Sequence, residues 1–164
     1  VEDNNVYAHV MKADIETAFK NIPVKIFIYE TGEKCMDNLA MQKPQIVILD
    51  YHLDNRTPDA ANGIKVLDWI KRVRHETNVI MMSHEDNIET ALKAFNHGAS
   101  DNIVKTETQF RKIIYTIFNI IRVMEAKKIA LRYKTIAVSS ILFIALLIGS
   151  VVTMIIYNPS FFQK

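Results

Sequence analysis

At 164 residues, 49% apolar and 23% charged, the chain is long enough for one ordinary domain with its own core plus an appendage, and its composition excludes a collagen-like, low-complexity or wholly disordered protein. A single cysteine, Cys35, excludes an internal disulfide framework and points to a reducing, intracellular setting. The net charge of +2 is unevenly divided: residues 1–107 carry 12 Lys/Arg against 17 Asp/Glu (−5), residues 108–134 carry 7 against 1 (+6), and Lys164 completes the total. An acidic domain, poorly suited to a nucleic-acid surface, precedes a basic collar.

In chain order, Asn5 to Lys20 predicts an amphipathic helix with Val6, Val10, Ile15 and Phe19 among its apolar positions, and Pro23 ends the connection. Val24–Tyr29 (VKIFIY) reads as a strand, after which Thr31 offers an N-cap to a helix carrying Met36, Leu39 and Ala40. Ile46–Leu49, four apolar residues that open "IVILDYHLD", read as a strand buried on both faces that ends at an acid, Asp50. Gly63 begins an amphipathic helix (GIKVLDWIKRVR) with Ile64, Leu67, Trp69 and Ile70. Val79–Met82 is a strand, NIETALKAFNHG a helix stopped by Gly98, and Asn102–Val104 a last short strand.

Strands separated by helices of this length argue a parallel sheet covered on both faces, because parallel neighbours need crossovers. In such sheets ligands bind beyond the carboxyl ends of the strands. Polar residues fall at those ends: Glu2 and Asp3 after Val1, then Asp50, Ser83 and Lys105. Each has a plain reading alone, as a loop cap, a solvated terminus, a turn hydroxyl or a surface lysine. Together they describe one rim, where clustered carboxylates repel unless a cation intervenes and oxygen ligands suit Mg²⁺.

The segments VEDN, VILDYHLD, NGIKVLDWIK, VIMMSHED and GASDNIVKTE, in this order and at strand ends, resemble a bacterial response-regulator receiver domain over residues 1–122. The resemblance implies a flavodoxin-like doubly wound parallel sheet of order 2-1-3-4-5, its first strand largely missing here, as in a fragment. It implies that Asp50 accepts a phosphoryl group from the phosphohistidine of a histidine kinase or phosphotransfer protein. Glu2, through water, and Asp3 would hold Mg²⁺ with the Asp50 carboxylate and the backbone carbonyl of His52. Lys105 would supply a second cation and Ser83 a hydroxyl donor. Such a domain promotes chemistry on itself and is not an enzyme in the usual sense.

The chain departs from the family pattern in the length of the Asp50–Gly63 loop, in Asn102 where an aromatic switch residue is usual, and in Thr106 where proline is common, which predicts a trans bond after Lys105. The altered loop, Asn102 and the incomplete first strand define the alternative, a pseudo-receiver that acts as a phosphorylation-independent protein-interaction module at the membrane. A hydrolase is disfavoured, since His52 rather than a second carboxylate stands two residues after Asp50. The five histidines lack a paired zinc spacing, and neither a glycine-rich phosphate loop nor a helix-turn-helix is evident.

Thr135–Tyr157 contains no charged residue, and about 20 helical residues span the roughly 30 Å hydrocarbon layer. Lys127, Lys128, Arg132 and Lys134 precede it, so the positive-inside rule leaves the receiver in the cytoplasm of a single-pass inner-membrane protein. The expected organisation is a receiver (1–122), a basic juxtamembrane helix (123–134), a transmembrane helix (135–157) and a short tail (158–164). Phe110, Ile114, Ile117, Ile121, Met124 and Leu131 form a stripe that first predicts burial against the receiver core. With Ala145 and Gly149 in the span, it also suggests a homodimer through the last helix.

Overall fold

The structure, a computed structural model, describes residues 1–53, 61–84 and 87–157, with side chains through Met154. The elements alternate as α1 (Asn5–Ala18), α2 (Gly32–Gln42), β1 (Ile46–Asp50), α3 (Gly63–Val73), β2 (Asn78–Ser83), α4 (Ile88–Asn96), β3 (Asp101–Val104) and α5 (Gln109–Tyr157). The chain divides into two compact units, Val1–Ile120 and Ile121–Lys164.

In the first unit, β1, β2 and β3 form a parallel sheet in that order, with Ile46 opposite Asn78 and Ile80 opposite Asp101. Burial explains the β-branched runs: Val47, Leu49, Val79, Ile80, Met81 and Met82 are all buried. Helix α3 covers this layer with Ile64, Val66, Leu67 and Ile70, and Trp69 packs at the edge of the same core. The helices begin where side-chain caps satisfy free backbone N–H groups: Asn4, Thr31, Asn62 and Asn87 accept from Tyr7, Lys34, Lys65 and Glu89 respectively. Gly98, at φ +92°, follows the C-cap of α4 in the left-handed region that favours glycine.

Three expectations need correction. Val24–Tyr29 is not a strand. The residues between it and β1 are Val1 and Glu2, which give it one backbone bond, Glu2 N–H to the Tyr29 carbonyl at 3.0 Å, and one bond does not make a ladder. On α1 the buried positions are Ala8, Met11 and Ile15, with Phe19 buried at the C-cap; Ile15 and Phe19 are as expected, whereas Val6 and Val10 are exposed and Ala8 and Met11 take their place on the buried face. On α5, Ile113 and Ile117 are the buried residues of the first unit, and Ile114 lies beside that seam. The Asp50–Gly63 loop falls partly outside the described residues, and no cis peptide bond occurs among those described.

Cys35 is a packed core residue whose thiol burial pushes upward in pKa. Gly63 fixes the base of the loop after β1. Its N–H donates to the Tyr51 carbonyl at 2.9 Å, and a Cβ there would collide with the backbone oxygen of Asp50. Backbone has little room to yield, so Gly63→Ala is expected to lower stability by about 1–3 kcal/mol, measured by urea unfolding. An unchanged midpoint would show that the loop can move aside.

In the second unit, the helix is long and apolar enough, by length and composition, to cross a membrane. Its large apolar residues, such as Leu142, Phe143 and Leu146, are exposed.

Candidate functional site

The site is assembled by strand ends. β1 delivers Asp50 at 1% exposure, β2 ends in the equally buried Ser83, and Lys105 follows β3 with its backbone N–H donating to the Ser83 carbonyl at 2.7 Å. Val1 and Glu2 are placed against β1 by backbone bonds, Val1 N to the Ile48 carbonyl at 2.6 Å and Asp50 N–H to the Val1 carbonyl at 3.0 Å. That pairing brings Glu2, 4% exposed, beside Asp50. The Lys105 ammonium donates to Asp50 Oδ2 at 2.6 Å and to Glu2 Oε2 at 2.9 Å. The remaining oxygens are also engaged: Asp50 Oδ1 accepts from the His52 N–H at 3.3 Å, and Glu2 Oε1 accepts from the Asn4 N–H at 3.3 Å.

Two buried carboxylates share one ammonium, and the imbalance is visible in the acidity of Glu2. Burial first, and then the neighbouring Asp50 charge, raise the Glu2 pKa above its ordinary value, with Lys105 pulling against them. Asp3 completes an acidic group, since Glu2, Asp3 and Asp50 each offer an oxygen within 4.8 Å of the others. Hard carboxylate oxygens with surplus negative charge fit Mg²⁺, which takes oxygen ligands and keeps several waters. The expected residues Glu2, Asp3, Asp50 and Lys105 therefore converge. Ser83 reaches the same rim as a strand terminus, and His52 contributes a backbone N–H to Asp50.

The cleft over these groups has a volume of about 640 Å³ and is walled by Asp3, Tyr7 and His84. The His84 ring lies 5.8 Å from that of His52, centroid to centroid. The acid and base pattern of the sequence does not mark Tyr7. Its place follows from α1 starting directly after the acidic pair: Asn4 caps Tyr7 N–H at 3.1 Å, and the first helical turn carries the ring back over the rim. There the ring faces the Lys105 ammonium at 4.9 Å, packs against Phe110 at 5.4 Å, and donates its hydroxyl to Met82 Sδ at 3.8 Å. Burial, reinforced by the Glu2 and Asp50 charges, raises the phenol pKa, so the ring remains neutral at physiological pH.

Comparison with known proteins gives the same frame. The NtrX nitrogen assimilation regulatory protein of Azorhizobium caulinodans is 34% identical over 85 residues, which are 52% of this chain and 18% of that protein. The regulatory protein LuxO of Vibrio cholerae is 27% identical over 101 residues, covering 62% of this chain and 21% of that protein. The chain thus spans about a fifth of the length of these curated relatives. Among solved structures, the signal receiver domain of a LuxO repressor protein from Vibrio parahaemolyticus superposes with a TM-score of 0.61 at 26% identity, covering 78% of this chain and 92% of that one. The fold is the flavodoxin-like receiver fold, a parallel sheet with flanking helices. The family model for the response regulator receiver domain matches residues 1–117, and by that match the chain belongs to the receiver family of two-component response regulators.

Proposed function

We propose that the chain is a membrane-anchored phosphoacceptor in a Mg²⁺-dependent phosphorelay, with Asp50 as the acceptor. The observation that carries this reading is the buried Asp50 carboxylate at a strand end, 2.6 Å from the Lys105 ammonium and beside Glu2. An Asp50 oxygen attacks phosphorus in line, the P–N bond to the donor histidine of a kinase or phosphotransfer protein breaks, and its electron pair stays on the imidazole. The product is an acyl phosphate on Asp50. Positioning and charge neutralisation carry most of such a transfer. Lys105 supplies a fixed cation for the phosphoryl oxygens, and the Ser83 hydroxyl is a donor that follows the modified acid. Glu2, Asp3, the Asp50 carboxylate and the His52 carbonyl are the residues that would hold Mg²⁺. When bound, it supplies further positive charge to the transferring phosphoryl oxygens.

Residues 1–122 act as the receiver, with Val1 and Glu2 lying between Val24–Tyr29 and β1. Residues 123–134 form the basic collar and 135–157 the span; residues 158–164, expected as a short tail on the far side, lie outside the described residues. Lys127, Lys128, Arg132 and Lys134 face anionic headgroups on the cytoplasmic side, at about 1 kcal/mol each.

The test uses membranes bearing the full chain, incubated with Mg²⁺ and acetyl phosphate. An alkali-labile acyl phosphate forms in the parent and is absent in Asp50→Ala; label that persists in Asp50→Ala would move the acceptor elsewhere. The same membranes, washed in alkaline carbonate, keep the chain in the pellet. Release into the supernatant would remove the anchor and leave the phosphoacceptor reading intact.

A further inference from the structure

We propose that Tyr7 is a positioning residue for phosphoryl transfer, its ring forming the third wall of a socket that holds the Lys105 ammonium at the rim while the other partners of that ammonium change. The inference rests on the phosphoacceptor reading of Asp50.

The ammonium has three N–H donors, and two are directed at Asp50 Oδ2 and Glu2 Oε2. Conversion of Asp50 to an acyl phosphate removes the carboxylate charge, so the bond to Oδ2 must be replaced by one to a phosphoryl oxygen. A directional hydrogen bond is lost during that exchange. Attraction to an aromatic face is not, because it depends on distance to the ring rather than on the aim of one N–H. Tyr7 supplies such a face at 4.9 Å, and the Lys105 side chain is only 10% exposed, where weak solvation strengthens the attraction. The ring cannot swing away freely. Phe110 backs it at 5.4 Å with the planes tilted by 32°, its hydroxyl is anchored on Met82, and its backbone sits in the first turn of α1. Met82 lies directly opposite Asp50 in the β1–β2 register, so the anchor and the acceptor share one rigid layer. An aliphatic side chain at position 7 would fill part of the space and offer no π face.

The experiment compares the full chain with Tyr7→Phe, Tyr7→Leu and Tyr7→Met, measuring the initial rate of Asp50 acyl-phosphate formation from acetyl phosphate and Mg²⁺, in which acetate leaves as the O–P bond forms. Tyr7→Phe keeps the parent rate within about twofold, while the two aliphatic variants are slower by about tenfold. Equal rates for the aromatic and aliphatic variants, all fast or all slow, overturn the proposal. A second readout does not depend on transfer. The ε-methylene protons of Lys105, seen by NMR after selective lysine labelling, are shifted upfield by the ring current in the parent and in Tyr7→Phe, and return to the ordinary position in Tyr7→Leu. An unshifted methylene in the parent overturns the contact whatever the rates. A shifted methylene with no acyl phosphate at Asp50 in the parent means that the phosphoacceptor reading has failed, and the positioning role fails with it while the contact stands.

Discussion

Lys105→Met lowers the stability of the metal-free chain at neutral pH by about 3–4 kcal/mol, with the single tryptophan, Trp69, reporting urea unfolding of the receiver unit in detergent micelles. Methionine keeps the aliphatic stem and removes the ammonium, with its charge and its N–H donors. Glu2 and Asp50, both nearly inaccessible, are then left without their shared cation. Breaking a buried pair from one side costs about 3–5 kcal/mol. Protonation sets a ceiling, because neutralising one carboxylate about three pH units above its ordinary pKa costs about 4 kcal/mol. The pH dependence carries a definite sign. A carboxyl whose folded pKa is raised binds its proton more tightly when folded, so its contribution is fully present below the ordinary Glu value of 4.5 and is lost as pH rises through the raised one. In chelator, the deficit of Lys105→Met therefore grows from acid towards neutral pH, and saturating Mg²⁺ restores most of it. A midpoint unchanged by the substitution would mean that the two acids are solvated rather than gathered around the amine.

The parts of this molecule that were legible in the sequence are those fixed by short-range chemistry. Ile46–Leu49 reads as a strand and is one, although Ile46 and Ile48 are only half-buried while Val47 and Leu49 are buried, and an acid at its end needs a reason. Thr31 and the Gly98 stop are local signals that act through one or two backbone groups, and the structure places them as expected. The convergence of Glu2, Asp50 and Lys105 was legible because a parallel sheet brings consecutive carboxyl ends to one edge. What the sequence hid depends on partners. Val24–Tyr29 has strand composition, yet strand identity is a property of a ladder, and Glu2 supplies it with a single bond. Val6 and Val10 look like core residues, yet they are exposed, and Ala8 and Met11 take the buried face. Tyr7 carries no catalytic signature in the chain. Its relevance appears only when Lys105, nearly a hundred positions later, is seen against its ring. Asn102 stands where the family usually has an aromatic residue and leaves its buried Oδ1 without a hydrogen-bond partner among the described residues, which no pattern in the neighbouring residues announces.

Asp50→Asn separates charge from chemistry at the same site. The amide is nearly isosteric and has no carboxylate oxygen to form an acyl phosphate, so labelling from acetyl phosphate falls below detection, a loss of at least about a thousandfold, and the Mg²⁺ affinity falls with the lost anionic ligand. Stability in chelator moves the other way from Lys105→Met. Glu2, Asp50 and Lys105 together carry one surplus negative charge. Removing the lysine doubles that surplus, whereas removing the Asp50 charge cancels it and leaves Glu2 and Lys105 as a balanced pair. It also withdraws the second of the influences that raise the Glu2 pKa. The variant is therefore expected to unfold at a urea midpoint equal to or above that of the parent, with a difference of up to about 1 kcal/mol. The Mg²⁺-induced rise in the midpoint shrinks in parallel, because less repulsion remains for a cation to relieve. If Asp50→Asn instead lost as much stability as Lys105→Met, the surplus charge of the cluster would not govern the energetics of this rim, and the fit to a divalent cation would lose its physical basis.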